Sequence, residues 1–258
     1  MASLIIIREL KKRDLEGTQN TILSAFPSEK KHEDRVDITP INYYIFNMKG
    51  KMFEKIVLGQ TILKFETPTE ILDEINLVYQ DKFEQLPDSN YRLVGKMKKE
   101  KSIYYTFKGK EHNFLSKNVL RFFEYCFRSY LMETKQSTLN IKVTAIWINE
   151  MHEHEYNPIH IHLSPTSKIG LTSVMFLRNP DTYGEEYSRE KLPHNGKLHL
   201  IGNTGGQFAT SDYYPEAKIG DFYVFPFDMK HGVYPFNSTK EGRRTASANC
   251  DVLPRMER

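Results

Sequence analysis

The sequence predicts an α+β domain, with helices in its first half and a β-sandwich or barrel in its second. Three observations carry that expectation. Two stretches between about residues 66 and 133 repeat apolar residues at helical spacing. After Asn140 the pattern changes to short β-rich segments divided by turn residues, with no helical pattern between them. No internal repeat or low-complexity linker separates the two regions. One domain is therefore expected over 56–258, with residues 1–55 packed on it. Within that N-terminal segment LIIIREL and INYYIFNM read as short strands, and no motif stands out.

The first helix begins in ETPTEILDEINLVYQDKFEQLP. Thr67 is placed to cap it, Pro68 suits its first position, and Glu70, three residues after Thr67, completes a capping box. Ile71, Leu72, Ile75, Val78, Tyr79 and Phe83 follow on one face, and Pro87 ends the element. A second helix is expected from Ser116 to Glu133. Its stripe is Val119, Leu120, Phe123, Cys126, Phe127 and Tyr130, with Leu131 beside it. Both stripes read as core, so the helices should brace a sheet. The strands expected behind them are IKVTAIWINE, GLTSVMFLRNP, GKLHLIGN, DFYVFPF and RRTASANCDV.

Composition narrows the function. The chain has 258 residues, 27% of them charged, yet its net charge is only +3. Basic and acidic residues are interleaved, which gives no footprint for nucleic acid. The densest basic run, KMKKEK from Lys96 to Lys101, reads as a solvated loop. Two cysteines far apart, Cys126 and Cys250, fit no disulfide framework or metal-binding pair and read as buried thiols. MASLIIIRELKKRD has too short an apolar run for a signal segment, and no stretch reaches membrane-spanning length. A cytoplasmic protein without membrane attachment is expected.

NPIHIHLS, Asn157 to Ser164, carries the chemistry. Residues two apart on a strand share a face, so His160 and His162 stand side by side while Ile161 turns away into apolar packing. Two neutral imidazoles on one face suit a metal. MHEHEYN has the same spacing at His152 and His154, but Glu153 and Glu155 flank it and it reads as an exposed polar loop. His231 follows a strand and a turn and precedes Gly232, which offers a third nitrogen at a strand end. Three such ligands leave open positions for substrate and oxygen, as in non-haem iron sites. The pair alone is also what an ordinary surface strand carries.

EGRRTASANCD adds a possible acid-binding wall. Arg243, Thr245, Ser247 and Asn249 fall on one strand face, and Arg244, Ala246, Ala248 and Cys250 on the other. An arginine with hydroxyls beyond it on the same face suits a carboxylate. Without the histidines, Arg243 and Arg244 would read as a basic pair flanking a turn.

In order, AIWINEMHEHEYNPIHIH, GLTSVMFLRNP, GKLHLIGN, GDFYVFPFDMKHGVYPF and GRRTASAN resemble the 2-oxoglutarate/Fe(II)-dependent oxygenases of phages and marine bacteria. The resemblance runs from Lys142 to Asp251, extends loosely back to Glu66 and does not reach the first 55 residues. It implies a double-stranded β-helix, a jelly-roll or cupin-like core braced by the N-terminal helices. It also implies Fe(II) on His160, His162 and His231, and 2-oxoglutarate as co-substrate beside O2. Arg243, Thr245 and Ser247 would receive the distal carboxylate of 2-oxoglutarate, and Asn149, Asn249 and Tyr183 are candidates to line the pocket. Trp147 reads as core.

Most of the wider superfamily has an acid where His162 stands, so this set would carry one negative charge fewer. Thr172-Ser173 replaces a Ser-Gly pair, and Thr245 replaces a serine. The segment 181–217, with Tyr183, Tyr187, Tyr213, Tyr214 and NTGG at Asn203 to Gly206, reads either as a substrate lid or as a long surface loop. The expected activity is hydroxylation of a C–H bond on a protein or peptide, including a prolyl side chain, or on a small molecule. Two rivals are a three-histidine cupin-type dioxygenase that uses no 2-oxoglutarate and a non-catalytic jelly-roll binding protein.

Overall fold

The computed structural model describes residues 53–89, 95–189, 191–237 and 241–254, all within the compact unit Tyr43–Arg258. The strands expected in LIIIREL and INYYIFNM lie outside the described residues. The domain boundary expected at 55/56 falls inside the first strand, β1 (Phe53–Leu58). β1 turns at Gly59 (φ +78°, a conformation that favours glycine) into β2 (Gln60–Glu66). Then come α1 (Thr69–Asp81), β3 (Lys99–Phe107), β4 (Lys110–Asn113) and α2 (Lys117–Glu133). The second half runs β5 (Asn140–Met151), β6 (Asn157–His160), β7 (Gly170–Arg178) and β8 (Leu198–Ile201). It ends with β9 (Asp212–Tyr213), β10 (Asp221–Pro226), β11 (Lys230–Val233) and β12 (Arg243–Leu253).

An eight-stranded sheet has the order β1-β2-β10-β7-β12-β5-β3-β4, and a four-stranded sheet the order β6-β11-β8-β9. From β5 to β12 the chain passes back and forth between the two sheets, and every pairing is antiparallel. This winding is the double-stranded β-helix expected from the resemblance.

The period-two pleat sorts the larger sheet into two cores. On β10, Phe222 and Val224 join α1 and α2 in one buried cluster, while Tyr223 and Phe225 join Val174, Phe176, Leu198 and Leu200 in the other. On β12, Ala246, Ala248 and Cys250 lie in the helix-side cluster. The opposite face of β12 is left polar, and that face lines the site. Both cysteines are buried free thiols.

The helices match their stripes, with local corrections. α2 starts at Lys117 behind a Ser116 cap, Ser116 Oγ accepting from Val119 N at 3.3 Å, and it buries Phe122 as well as the expected Phe123 and Phe127. The capping box at Thr67 does not form. Pro68 occupies the cap with no side-chain hydrogen bond, while Thr67 is buried and its N–H donates to Gly220 O at 2.9 Å. Docking against the β10 approach wins over capping. α1 ends at Asp81, before Pro87, and a 3-10 turn over Phe83–Gln85 follows.

Two larger expectations fail. The elements are not helices then strands, because β1 and β2 precede α1, and β3 and β4 stand between the helices. The run Lys96–Lys101 is not simply a solvated loop: Lys99 to Lys101 begin β3. Lys101 is buried over the Phe83 ring (4.4 Å), and its Nζ donates to Leu86 O at 3.1 Å and pairs with Asp88 at 2.9 Å. Its long apolar stem packs while its charged tip finds partners.

Candidate active site

β6 and β11 pair with His231 opposite His160. Gly232 permits that closeness, since a Cβ there would lie 2.9 Å from Asn157 O. His162 follows β6 and is anchored through its N–H to Phe227 O at 2.9 Å. His231 therefore sits within a strand of its own after the turn, not at the end of the preceding strand.

The candidate ligand atoms of His160, His162 and His231 all lie within 4.8 Å of one another. Nδ1 of His160 is 2.7 Å from Pro158 O, and Nδ1 of His231 is 2.9 Å from Met229 O. A carbonyl only accepts, so each Nδ1 carries its proton and each Nε2 presents a lone pair. Nε2 of His231 stands 3.1 Å from Nε2 of His162. Two nitrogens each about 2.1 Å from an ion, at a right angle, would lie about 3.0 Å apart. The donor set fits a first-row metal such as Fe(II). Burial keeps all three rings neutral: it lowers His160, lowers His162 to about 3 with help from the charge of His160, and holds His231 well below its usual value with help from both neighbours.

The histidines open into a cavity of about 310 Å³. Arg243, Thr245, Ser247 and Asn249 line it from β12, and Trp147 and Asn149 from β5. Arg243 is only 2% exposed, yet its Nε and one Nη have no hydrogen-bond partner. Burial lowers its pKa, an effect partly offset by Tyr183, and its guanidinium stacks 4.7 Å from the Phe176 ring centre. No carboxylate pairs with it among the described residues. A buried guanidinium with unmet donors is costly alone and well suited to a carboxylate-bearing ligand. The Asn249 Oδ1 is also buried without a partner. Arg244 is different: it clamps Glu150 on the helix side, with Nη2 at 2.6 Å and Nε at 2.8 Å.

Among the other candidates, Asn149 and Asn249 reach the cavity, and Tyr183 does not. Tyr183 acts on Arg243 from outside the wall and packs on Phe236. Trp147, expected in the core, is instead cavity wall, its ring 5.8 Å from that of His162. Ile161 does not turn into apolar packing but is 44% exposed at the cavity rim. Of the described residues of the segment 181–217 only Leu198 reaches the cavity; Tyr213 packs on Tyr223, Tyr214 on His199, and Tyr187 on His154. In the His152–Glu155 turn Glu155 is buried, not exposed, and accepts from His152 N and Lys98 N. Ser89, Met97, Glu100 and Ser102 also line the cavity and were missed. The alternation in KEKSIY that puts Glu100 and Ser102 inward was the available signal, hidden by the flanking lysines.

Residues 145–249 match the family model described as "Putative 2OG-Fe(II) oxygenase". On that match this segment is a 2OG-Fe(II) oxygenase core, and the chain is an enzyme of that class. Its cofactors are Fe(II), 2-oxoglutarate as co-substrate, and O2. No curated protein matches the chain in sequence. Among solved structures it is similar to a prolyl-4-hydroxylase from Pseudomonas putida (10% identity, TM-score 0.46, covering 80% of this chain and 94% of that one). It is also similar to a Trichoplax adhaerens prolyl hydroxylase solved with a hypoxia inducible factor peptide (12%, 0.48, 75% and 83%). A viral collagen prolyl hydroxylase from Paramecium Bursaria Chlorella virus-1 is a third (14%, 0.41, 78% and 96%). Likenesses this distant assign no substrate. No helix among the described residues is long and apolar enough to cross a membrane.

Proposed function

We propose that His160, His162 and His231 hold the Fe(II), that Arg243 with Thr245 and Ser247 receives the distal carboxylate of 2-oxoglutarate, and that the enzyme hydroxylates a C–H bond of a protein or peptide. The observation that carries this reading is one cavity joining three converging histidines to a buried guanidinium with unmet donors. When bound, the iron supplies oxygen activation: 2-oxoglutarate and O2 become succinate and carbon dioxide as one oxygen atom enters the substrate C–H bond. The chain's own residues bind and orient. The Pro158 and Met229 carbonyls fix the faces of His160 and His231, Arg243 sets the direction of the co-substrate, and Trp147 closes the wall beside His162.

The substrate reading rests on the rim. Ile159, Ile161 and Leu163 are 55%, 44% and 82% exposed next to the histidine pair. An apolar edge along one side of the cavity, with Ile161 and Leu163 among its lining residues, suits a substrate whose reacting carbon enters while its flanks rest outside, as in a chain segment. A prolyl side chain is one candidate, and a small metabolite would leave the rim unused. Two buried thiols suit a reducing cytoplasm. The test is incubation with Fe(II), 2-oxoglutarate and a peptide library, followed by mass spectrometry. Gain of one oxygen atom that requires 2-oxoglutarate supports the reading; oxidation confined to small metabolites overturns the peptide substrate.

A further inference from the structure

β3 lies outside the matched segment 145–249, yet it supplies a carboxylate to the cavity. In the lateral register Glu100 sits opposite Asn149, which sits opposite Thr245; one step along, Ser102, Trp147 and Ser247 form a parallel row. Glu100 is 4% exposed. With the Asn149 amide nitrogen turned toward it, that nitrogen donates to Glu100 Oε2 at 2.7 Å, and the amide oxygen accepts from Trp147 Nε1 at 3.3 Å. The opposite orientation would set oxygen against carboxylate and nitrogen against indole N–H. An ionised carboxylate only accepts and an indole N–H only donates, so Glu100 and Trp147 together decide which way the amide points.

We propose that Glu100 is a positioning residue: through the Asn149 amide it fixes the Trp147 indole against His162 and so shapes the wall between the histidines and Arg243. The chain of bonds runs one way, from indole N–H to amide oxygen and from amide N–H to carboxylate. A neutral amide side chain at position 100 accepts more weakly and can also donate, so the Asn149 amide would keep only the bias that the donor-only Trp147 N–H gives it. The importance of this wall rests on the iron and 2-oxoglutarate reading, but the bond chain is testable without either.

Trp147 is the single tryptophan, so metal-free full-length protein should show one indole N–H resonance. Glu100→Gln should shift that resonance upfield and speed its solvent exchange by about three- to tenfold, the loss expected when a charge-assisted bond in the chain becomes a neutral one. Asn149→Asp alone sets two carboxylates together and should also disturb it. The double exchange Glu100→Gln with Asn149→Asp puts the amide on β3 and the acid on β5. The amide then donates to the acid, which still accepts from Trp147, and the native position and rate should return. A structural role for Glu100 alone would not be rescued by this exchange. A folded Glu100→Gln with an unchanged resonance and exchange rate, or a double variant no nearer to native than the singles, overturns the inference. If Glu100→Gln does not fold, Asn149→Ala decides: it keeps Glu100 but breaks the chain, so unchanged exchange overturns the inference. Failure of iron or 2-oxoglutarate binding would leave these results standing and count against the site reading instead.

Discussion

Arg243 and Arg244 are neighbours on β12 with opposite fates. Arg244 holds Glu150 through two bonds of 2.6 and 2.8 Å and lies 4.4 Å over the Tyr79 ring. Arg243, as deeply buried, lines the cavity and keeps Nε and one Nη without partners. One guanidinium serves the fold, and the other is kept for a ligand. Arg243→Ala should therefore fold, with its unfolding midpoint little changed, and need at least about thirtyfold more 2-oxoglutarate, as expected when a buried charge pair loses one member. Arg244→Ala should do the reverse, losing about 3–5 kcal/mol because Glu150 is left with reduced compensation. Denaturant unfolding together with co-substrate titration of both variants checks the pair.

The histidines are not equivalent. His160 and His231 are fixed by backbone carbonyls, whereas His162 faces His231 and the Trp147 wall. His231→Ala should abolish iron retention. His162→Asp should retain iron, because a carboxylate supplies both a ligand atom and a compensating negative charge. Iron content after anaerobic gel filtration distinguishes these outcomes from a site in which His162 is irreplaceable.

Glu150 should leave a signature in acid. Burial pushes its carboxyl up, but the Arg244 hydrogen bonds and the charges of Arg244, Arg178 and Lys99 outweigh this and hold it below its usual value. Its folded pKa is depressed, so its stabilising contribution is present above the unfolded value of about 4.5 and is lost as pH falls through the folded value. Glu150→Gln should be clearly less stable than the native protein near pH 7, and the gap should narrow toward about pH 3. Urea midpoints across that range measure the gap.

The helices brace the sheet without touching the site. Phe123 and Phe127 of α2 are fully buried in the helix-side core, Phe123 edge-on to Phe222 of β10. Phe123→Ala should cost about 3–5 kcal/mol and leave the affinity for iron unchanged. Thermal unfolding with parallel metal titration tests that separation.

The second half of the fold was legible because its strands alternate cleanly. β12 in particular announces a polar face beside a small apolar one, and that face became the cavity wall. His160, His162 and His231 were legible by spacing and strand context, and Arg243 by its phase with Ser247 and Asn249. What stayed hidden was set by tertiary contacts. Charged ends masked β3, so Glu100 and Ser102 were not seen. Trp147 looked like core because indoles usually are, but its neighbour across the sheet is Ser247, and it lines a cavity. Thr67 had the residue pattern of a cap and lost that role to a backbone bond with Gly220.

The most direct test is an anaerobic titration of the full chain with Fe(II) and 2-oxoglutarate, following the visible charge-transfer band of the chelate, with His231→Ala and Arg243→Ala alongside. The account predicts a band in the native protein, none with His231→Ala, and a much higher 2-oxoglutarate requirement with Arg243→Ala. A folded, iron-loaded native protein that gives no band, or a band indifferent to Arg243→Ala, would contradict it.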